Sequence, residues 1–404
     1  MNIDALIEYA ESKNSVLFKK IDEIALFNQE KVLNAFKDSK ISEGHFSQST
    51  GYGYNDDSKI KLCEVFSKVF HTEDALVSPH FASGTHTISC ALFGIFRPSD
   101  KIICITGKPY DTLNKVIYGQ NIGSLNEFGI EFKCIDLIDG SFDYDLIANE
   151  LKNKHAGIYI QRSPGYETRE ALTITQIKKV IDFIKQYSDA PILVDNCYGE
   201  FVDSLEPSDV RADIVMVSLI KNPGGGIAPT GGYIAGKKRL VELASMRLSA
   251  PGIGSEIGSF EGSYRPYFEG LFLAPHVVAQ ARKGGILIAT ALEELGYTVF
   301  PPASSFSGDI VRVVNFNNKD KMIKFCQEIQ AYSPIDSFAK PIPWAMPGYD
   351  DEVIMASGSF VQGSSIELSA DAPVREPFAL YVQGGITYEH TKIALKNCLK
   401  SIID

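Results

Sequence analysis

The sequence lacks the features that mark membrane, secreted and nucleic-acid-binding proteins. No apolar run approaches the roughly 20 residues that a membrane-spanning helix needs, so we expect no membrane partner. The stretch "MNIDALIEYAESKN" is acidic and helix-like, without the basic region and apolar core of a signal peptide. Lys and Arg number 39 against 50 Asp and Glu, and the net charge of −11 argues against nucleic-acid binding.

Cysteine and histidine spacings typical of metal or redox sites are also missing. The seven cysteines form no CxxC pair, and most lie in apolar surroundings, which is typical of reduced thiols in a cytoplasmic protein. The seven histidines are dispersed, so the sequence predicts no metal site. The cysteines are Cys63, Cys90, Cys104, Cys134, Cys197, Cys326 and Cys398.

What the sequence does contain is a long alternation of strand-like and helix-like segments. The strands are apolar throughout rather than alternating, which indicates a mostly parallel sheet with helices on both faces. Amphipathic helices are predicted at 84–95, 143–153 and 174–187, and a long helix at about 270–295. The strand candidates are "DALVSPH", "KIICIT", "EFKCIDL", "AGIYIQ", "PILVDN", "DIVMVSLI" and "GGYIAG".

The 404 residues are enough for one large domain and a smaller one. We expect an N-terminal helical arm over residues 1–50, with a helix at about 14–38. A large α/β domain would follow over 51–296, and a small α+β domain over 297–404. The small domain is predicted from the strands "DIVRVVNF", "EVIMASGSF" and "FALYVQGG", with helices near 318–329 and 388–402.

Lys221 closes the buried strand segment "DIVMVSLIK", where an ammonium is costly to desolvate. A lysine at a strand end can extend its charged head to water while its stem stays packed. The alternative is that its amine is used covalently and so avoids the penalty. The glycines of "NPGGG" that follow need be no more than a turn.

Two further elements are expected at the same sheet edge, because ligands of open parallel sheets lie at the carboxyl ends of the strands. Asp195 closes "PILVDN", although it could simply cap a helix. Ser83, Gly84 and Thr85 open a helix whose free N–H groups suit a phosphate, but they are also a plain helix cap.

A lysine, an aspartate and a phosphate cradle together are what pyridoxal phosphate (PLP) requires. The lysine would form a Schiff base, and the aspartate would keep the pyridine nitrogen protonated. Ser218 could add a hydroxyl to the phosphate, or be merely a small polar residue of the strand. Tyr110, just after the strand "KIICIT", is placed to stack on the ring.

The chain resembles the aluminium-resistance, or methionine-γ-lyase-like, family of fold-type I PLP enzymes, which is related to the cystathionine β-lyases. The resemblance covers nearly the whole chain and implies the aspartate aminotransferase-like fold: a mostly parallel central sheet with a smaller C-terminal α+β domain. The segments that carry it are "STGYGYNDDSK", "ASGTHTI", "GKPYDTL", "QRSPGY", "VDNCYGEF", "SLIKNPGGGIAPTGGYIAG", "GLFLAPHVV" and "REPFALYVQGGITYEH".

The resemblance also assigns roles to single residues. Tyr52 and Tyr54 are similar to tyrosines that reach the neighbouring subunit's phosphate, which implies a homodimer or homotetramer with shared sites. Arg375 would hold the substrate carboxylate. The same resemblance gives Lys221 the Schiff base, Asp195 the pyridine nitrogen, Gly84, Thr85 and Ser218 the phosphate, and Tyr110 the stacking position.

The sequence departs from the wider lyase group at two points. Ile220 stands immediately before the lysine, where that group has a hydroxyl residue, so one phosphate contact is missing or comes from elsewhere. The tyrosines occur as "GYGY" rather than in a Tyr-x-Arg pattern.

The implied activity is a PLP-dependent carbon–sulfur lyase that acts on a small sulfur-containing amino acid by β- or γ-elimination. Lys221, with its pKa lowered by partial burial and nearby cations, would remove the Cα proton, and Tyr110 could carry a proton. Two alternatives stay open: another fold-type I reaction, such as transamination or aldol cleavage, and a non-catalytic phosphate- or nucleotide-binding protein.

Overall fold

The structure is a computed structural model that describes residues 2–167, 169–346 and 349–403. The helices of this part are α1 (Ile3–Lys13), α2 (Ser15–Asp38), α3 (Asp57–Val69), α4 (Gly84–Ile95), α5 (Asp111–Tyr118), α6 (Tyr144–Glu150), α7 (Ile174–Ile184), α8 (Lys238–Leu248), α9 (Arg265–Glu294), α10 (Lys319–Ala331) and α11 (Tyr388–Ile403). The strands are β1 (Asp74–Ser78), β2 (Lys101–Cys104), β3 (Glu131–Cys134), β4 (Gly157–Gln161), β5 (Ile192–Asp195), β6 (Ile214–Ser218), β7 (Gly232–Gly236), β8 (Thr298–Phe300), β9 (Arg312–Asn315), β10 (Trp344–Ala345), β11 (Glu352–Ala356), β12 (Ser369–Pro373) and β13 (Ala379–Gln383). None of the helices described combines the length and apolar character that a membrane crossing requires.

A seven-stranded sheet forms the larger part of the fold. Its strand order is β1-β7-β6-β5-β4-β2-β3, and β3, β2, β4, β5 and β6 run parallel. The strand β7 is antiparallel to both of its neighbours, β6 and β1. This confirms the prediction of a mostly parallel α/β sheet.

The apolar character of these strands follows from burial on both faces. Every residue of β4, β5, β6 and β7 is buried. One face packs in a core with α3, α7 and α9, whereas the other packs with α4, α5 and α8. Helices on both faces leave the carboxyl ends of the parallel strands as the edge at which polar side chains gather.

A second sheet of six strands has the order β10-β11-β12-β13-β9-β8 and is antiparallel throughout. The helices α10 and α11 pack on one of its faces, in a core that also receives Leu6, Ile7 and Ala10 of α1. Its first strand begins at Thr298, directly after α9. The free part of its other face turns towards the carboxyl-end edge of the large sheet, and this arrangement positions the site described below.

The helix α9 connects the two sheets, and the N-terminal helices α1 and α2 pack against it. Helix α2 packs along it, and the Asn14 side-chain amide donates a hydrogen bond to the Thr290 hydroxyl, at 2.7 Å. At the start of α9, Gly270 approaches the backbone of Gly224 and Gly225. Near its middle, Gly285 lies against the side chain of Arg312 in β9.

Three details differ from the prediction. The long helix begins at Arg265 instead of about residue 270, because Pro266 is tolerated in a first helical turn. The helix predicted at 143–153 is shorter, over Tyr144–Glu150. The strands β8, β10 and β12 were not predicted: β8 and β10 span only three and two residues, and "SADAP" in β12 has little of the β-branched and aromatic character that marks strands.

Candidate active site

A cavity of about 350 Å³ lies between the carboxyl ends of the large sheet and the free face of the small sheet. One side, here named the sheet-edge wall, consists of Gln161, Asp195 and Lys221, which follow or end the neighbouring strands β4, β5 and β6. The opposite side, named the sheet-face wall, consists of Ser369, Asp371, Tyr381 and Gln383 from β12 and β13.

Lys221 is placed at the cavity by the end of β6. The strand ends at Ser218, and Lys221 opens the short 3₁₀ turn Asn222–Gly224. Its Nζ atom lies 3.6 Å from the centroid of the Tyr198 ring, a distance at which an aromatic face attracts a cation. The lysine therefore points into the cavity rather than out to solvent.

The acid–base state of Lys221 differs from the expectation. Burial works to lower the pKa of the ammonium, but Cys197, Tyr198 and Asp195 outweigh burial and raise that pKa above its ordinary value. The expected lowering is therefore wrong for this arrangement, because the groups around the amine are acidic rather than cationic.

The glycines after Lys221 have a packing role. Gly225 has φ +56°, and a Cβ atom there would lie 2.4 Å from the carbonyl oxygen of Gly270 in α9. A Cβ on Gly224 would lie 1.7 Å from the Leu219 carbonyl oxygen. Only glycine fits such close backbone approach, so "NPGGG" holds the Lys221 turn against α9.

Asp195 ends β5 and is 3% exposed. Its Oδ1 atom accepts a hydrogen bond from the Cys197 backbone N–H at 3.0 Å, and its Oδ2 atom lies 3.5 Å from the Tyr159 hydroxyl. Burial raises the pKa of this carboxyl, while Cys197 and Lys221 lower it in part. A buried carboxylate that lines a cavity near a lysine is suited to hold a cationic ring nitrogen.

Tyr110 stands at the start of α5, and Gln161 fixes its backbone by accepting the Tyr110 N–H at 3.0 Å. Its hydroxyl lies 3.1 Å from the Thr85 hydroxyl, which is in turn 3.0 Å from that of Thr112. Burial raises the pKa of Tyr110, and Asp195 raises it further. The phenol therefore keeps its proton. Thr112 was not predicted.

The predicted phosphate residues separate into two groups. Gly84 and Thr85 line the cavity at the start of α4. Ser83 does not line it, because its hydroxyl caps α4 by accepting the His86 N–H at 3.1 Å. Ser218 is 1% exposed and lies below Gly84, where a Cβ would be 3.4 Å from the Ser218 Cβ.

The residues assigned by resemblance alone also differ in position. Arg375 lines the cavity, and its guanidinium is paired with the Asp351 carboxylate at 2.8 Å. Tyr52 and Tyr54 lie outside the cavity of their own chain and are 68% and 64% exposed. Their rings contact one another, with centroids 5.5 Å apart.

Besides Thr112, several residues that line the cavity were missed by the sequence analysis, among them Tyr166, Tyr198, Asp371 and Gln383. Tyr166 lies in the segment after β4 and donates its hydroxyl to Asp371 Oδ2. The signal available for Tyr166 and Tyr198 was their position just after strands β4 and β5. Asp371 and Gln383 carried none, because their strands belong to the other sheet.

A family model described as methionine gamma-lyase matches residues 3–403, nearly the whole chain. The chain belongs to the methionine gamma-lyase family. A Bacillus subtilis relative, the uncharacterized protein YnbB, is 48% identical over 392 residues, which is 96% of this chain and 93% of that protein.

Solved structures place the family within a wider fold. A proposed cystathionine beta-lyase involved in aluminium resistance from Clostridium acetobutylicum is 47% identical, with a TM-score of 0.97 over 100% of this chain and 96% of that one. The PLP-dependent protein YhfS from Escherichia coli is 15% identical, with a TM-score of 0.63 over 95% and 97% of the two chains. This similarity shows the fold-type I architecture.

The cavity fits the PLP that this fold implies. A buried carboxylate and a lysine stand at neighbouring strand ends, and the helix start at Gly84 offers backbone N–H groups without a Cβ in the way. Ile220 supplies no hydroxyl, but the linked hydroxyls of Thr85 and Thr112 lie at the same end of the cavity.

Proposed function

We propose that this member of the methionine gamma-lyase family is a PLP-dependent carbon–sulfur lyase that acts on a small sulfur-containing amino acid by β- or γ-elimination. The main support is the pairing of Lys221 and Asp195 at the ends of neighbouring strands within one cavity. Family membership supports lyase chemistry in preference to other reactions of the fold.

The residues that would hold the cofactor follow from their positions. Lys221 would hold it covalently, Asp195 would bind the ring nitrogen, and Tyr110 would contact the ring. Gly84 and Thr85 would bind the phosphate together with Ser218, which lies next to Gly84, whereas the Ser83 hydroxyl caps α4. When bound, PLP accepts the electron pair released at Cα of an amino acid.

The chain's own groups would then manage protons. The Lys221 amine would be the base that removes the Cα proton of the substrate. Asp195 keeps the charge at the ring nitrogen, because a buried carboxylate there favours the protonated form. Tyr110 keeps its own proton and can deliver it to the leaving sulfur. Arg375 would bind the substrate carboxylate through a two-pronged contact.

Product balance tests the proposal. Protein loaded with PLP is incubated separately with cystathionine, cysteine, homocysteine and methionine, and thiol, ammonia and keto acid are measured together. Elimination yields keto acid and ammonia in equal amounts without a second keto acid. If keto acid forms only with an added acceptor, and pyridoxamine phosphate accumulates, the protein is an aminotransferase and the lyase proposal fails.

Assembly is part of the proposal, because Tyr52 and Tyr54 lie outside their own cavity. We propose that the "STGYGYND" segment reaches the neighbouring subunit's site in a homodimer or homotetramer. Mixing inactive Lys221→Ala subunits with inactive Tyr54→Ala subunits should restore part of the activity through hybrid sites. Absence of recovery, with subunit exchange demonstrated by mass, would contradict a shared site.

A further inference from the structure

The strands β12 and β13 present two chemically different sets of side chains. Alternate residues of a strand point to opposite faces of the sheet. One set packs in the apolar core with α10 and α11: Ala370, Ala372, Leu380 and Val382. The other set is the sheet-face wall, and its members pair across the two strands, Ser369 with Gln383 and Asp371 with Tyr381.

Asp371 lies at the centre of this wall and is 8% exposed. Its Oδ1 atom accepts a hydrogen bond from the Gln383 amide at 3.1 Å, and its Oδ2 atom accepts one from the Tyr166 hydroxyl. These donors orient the carboxylate but bring no positive charge. In the part of the chain that the structure describes, Asp371 makes no ion pair.

The ammonium of Lys221, on the opposite side of the cavity, is the cation whose charge lowers the pKa of Asp371 in part. Under the proposed function, the amine of Lys221 is occupied in holding the cofactor. A buried carboxylate that faces a cavity without its own cation gains from a positively charged ligand group. Burial raises the pKa of Asp371 to about 6, which is consistent with this incomplete compensation.

Two hydroxyls that belong to residues of the same cavity also have no hydrogen-bond partner among the described residues. Ser365 and Ser369 line the same cavity, and each is 5% exposed. Among the described residues, neither hydroxyl oxygen has a hydrogen-bond partner. Buried hydroxyl groups are costly unless they are hydrogen-bonded, so these two favour a polar ligand group in this part of the cavity.

Building on the proposed function, we propose that the sheet-face wall selects substrates whose sulfur substituent ends in an ammonium group. An ammonium carries only N–H donors; Asp371 offers a charged acceptor, and Ser365 and Ser369 line the same cavity with hydroxyls that have no partner among the described residues. The substrate class is an S-substituted cysteine or homocysteine with an amine at its far end. Methionine is disfavoured, because its S-methyl group would leave these buried polar groups unpaired.

The test compares two ligands that differ in one group. The S-substituent of S-(2-aminoethyl)cysteine ends in an ammonium, and that of S-propylcysteine ends in a methyl group of similar size. Their affinities are measured by calorimetry on PLP-loaded protein reduced with borohydride, which cannot turn them over. We expect the amine ligand to bind about 10- to 100-fold more tightly, as for a buried hydrogen bond to a charged group.

The variant Asp371→Asn should abolish this preference, while its affinity for S-propylcysteine stays unchanged. Asp336→Asn is the matched control, since it removes one carboxylate charge at an exposed position outside the cavity and should keep the preference. A second variant, Ser365→Ala with Ser369→Ala, should reduce the preference in part. If Asp371→Asn folds poorly, this double serine variant tests the inference in its place.

Equal affinity of the wild-type protein for the two ligands would overturn the inference. So would an equal loss for both ligands in Asp371→Asn, because that result would assign Asp371 to the shape of the cavity. Neither result bears on the lyase proposal, which fails instead if the protein takes up no PLP or if the product balance is that of an aminotransferase.

Discussion

The two walls of the cavity are built by different means. The sheet-edge wall uses the places where parallel strands stop, so its functional residues follow long apolar runs in the sequence. The sheet-face wall uses the middle of antiparallel strands, where polar residues alternate with core residues. Under the proposals made above, the first wall would carry out the chemistry shared by all substrates, and the second would contact the part of the substrate that varies.

Removing the sheet-edge lysine should have the largest effect. Lys221→Ala should lower turnover by about 10³-fold or more, because one group both holds the cofactor and moves the Cα proton. Borohydride reduction of the wild-type protein, followed by peptide mapping, should place the pyridoxyl label on Lys221. A label on Lys237 or Lys238 would show that the wrong lysine has been assigned.

The second effect concerns Asp195, the carboxylate of the same wall. Asp195→Asn should leave the fold intact and slow Cα deprotonation by about 10²- to 10³-fold, since the ring nitrogen loses its charged partner. The exchange of the Cα proton with deuterated solvent measures this step directly. Turnover close to that of the wild-type protein would mean that another acid performs this function.

The third effect tests how the Lys221 turn is held in place. Gly225→Ala forces a Cβ against the Gly270 carbonyl oxygen at a positive φ, so the free energy of unfolding should fall by about 3 kcal/mol. Gly252→Ala is the matched control: φ is +86° there, but nothing lies within 4 Å, and we expect a loss of about 1 kcal/mol. Denaturant titration measures both. Equal losses would show that the contact with α9 contributes little.

The last effect is the pH dependence of stability that we expect from Asp371 in the sheet-face wall. Burial raises the pKa of Asp371 to about 6 from its usual 3.8, so the folded state holds this proton more tightly than the unfolded state. The proton bound to Asp371 stabilises the folded state fully below about pH 4, and this stabilisation is lost as the pH rises through about 6. At pH 8, Asp371→Asn should therefore be more stable than the wild-type protein by up to about 3 kcal/mol.

That difference should shrink towards zero at about pH 3, below both pKa values of Asp371, where the carboxyl is protonated in the folded and the unfolded state. Thermal unfolding of the two proteins at several pH values checks it. A variant that is less stable than the wild-type protein at pH 8 would mean that the carboxylate is well compensated. The inferred ammonium site would then lose its electrostatic support.

The contrast between the walls also explains what could be predicted from the sequence. Lys221 and Asp195 were identified because a charged residue at the end of a buried apolar run is costly, and parallel strands bring such ends together. The mostly parallel sheet was predicted from strands that are apolar throughout, as expected when helices cover both faces. Gly84, Thr85, Tyr110 and Arg375 also line the cavity, as their predicted roles require.

The sheet-face wall could not be found in this way. Asp371 lies between two alanines in "SADAP", and its neighbours Tyr166 and Gln383 are distant in sequence. The paired strands and the packing of one sheet against the other bring these three side chains together. Such a cluster depends on tertiary packing, which a local sequence pattern does not specify.

The helix α9 sets a limit on how the length of this chain can change. It supports the Lys221 turn at Gly270 and contacts β9 and α11 at Gly285 and Gly284. One residue inserted between these contacts would shift everything beyond it by about 1.5 Å and rotate it by about 100°. The helix could not keep both sets of contacts after such a change. Sequences that vary in length while keeping this site should therefore place their insertions and deletions in the loops, outside this part of α9.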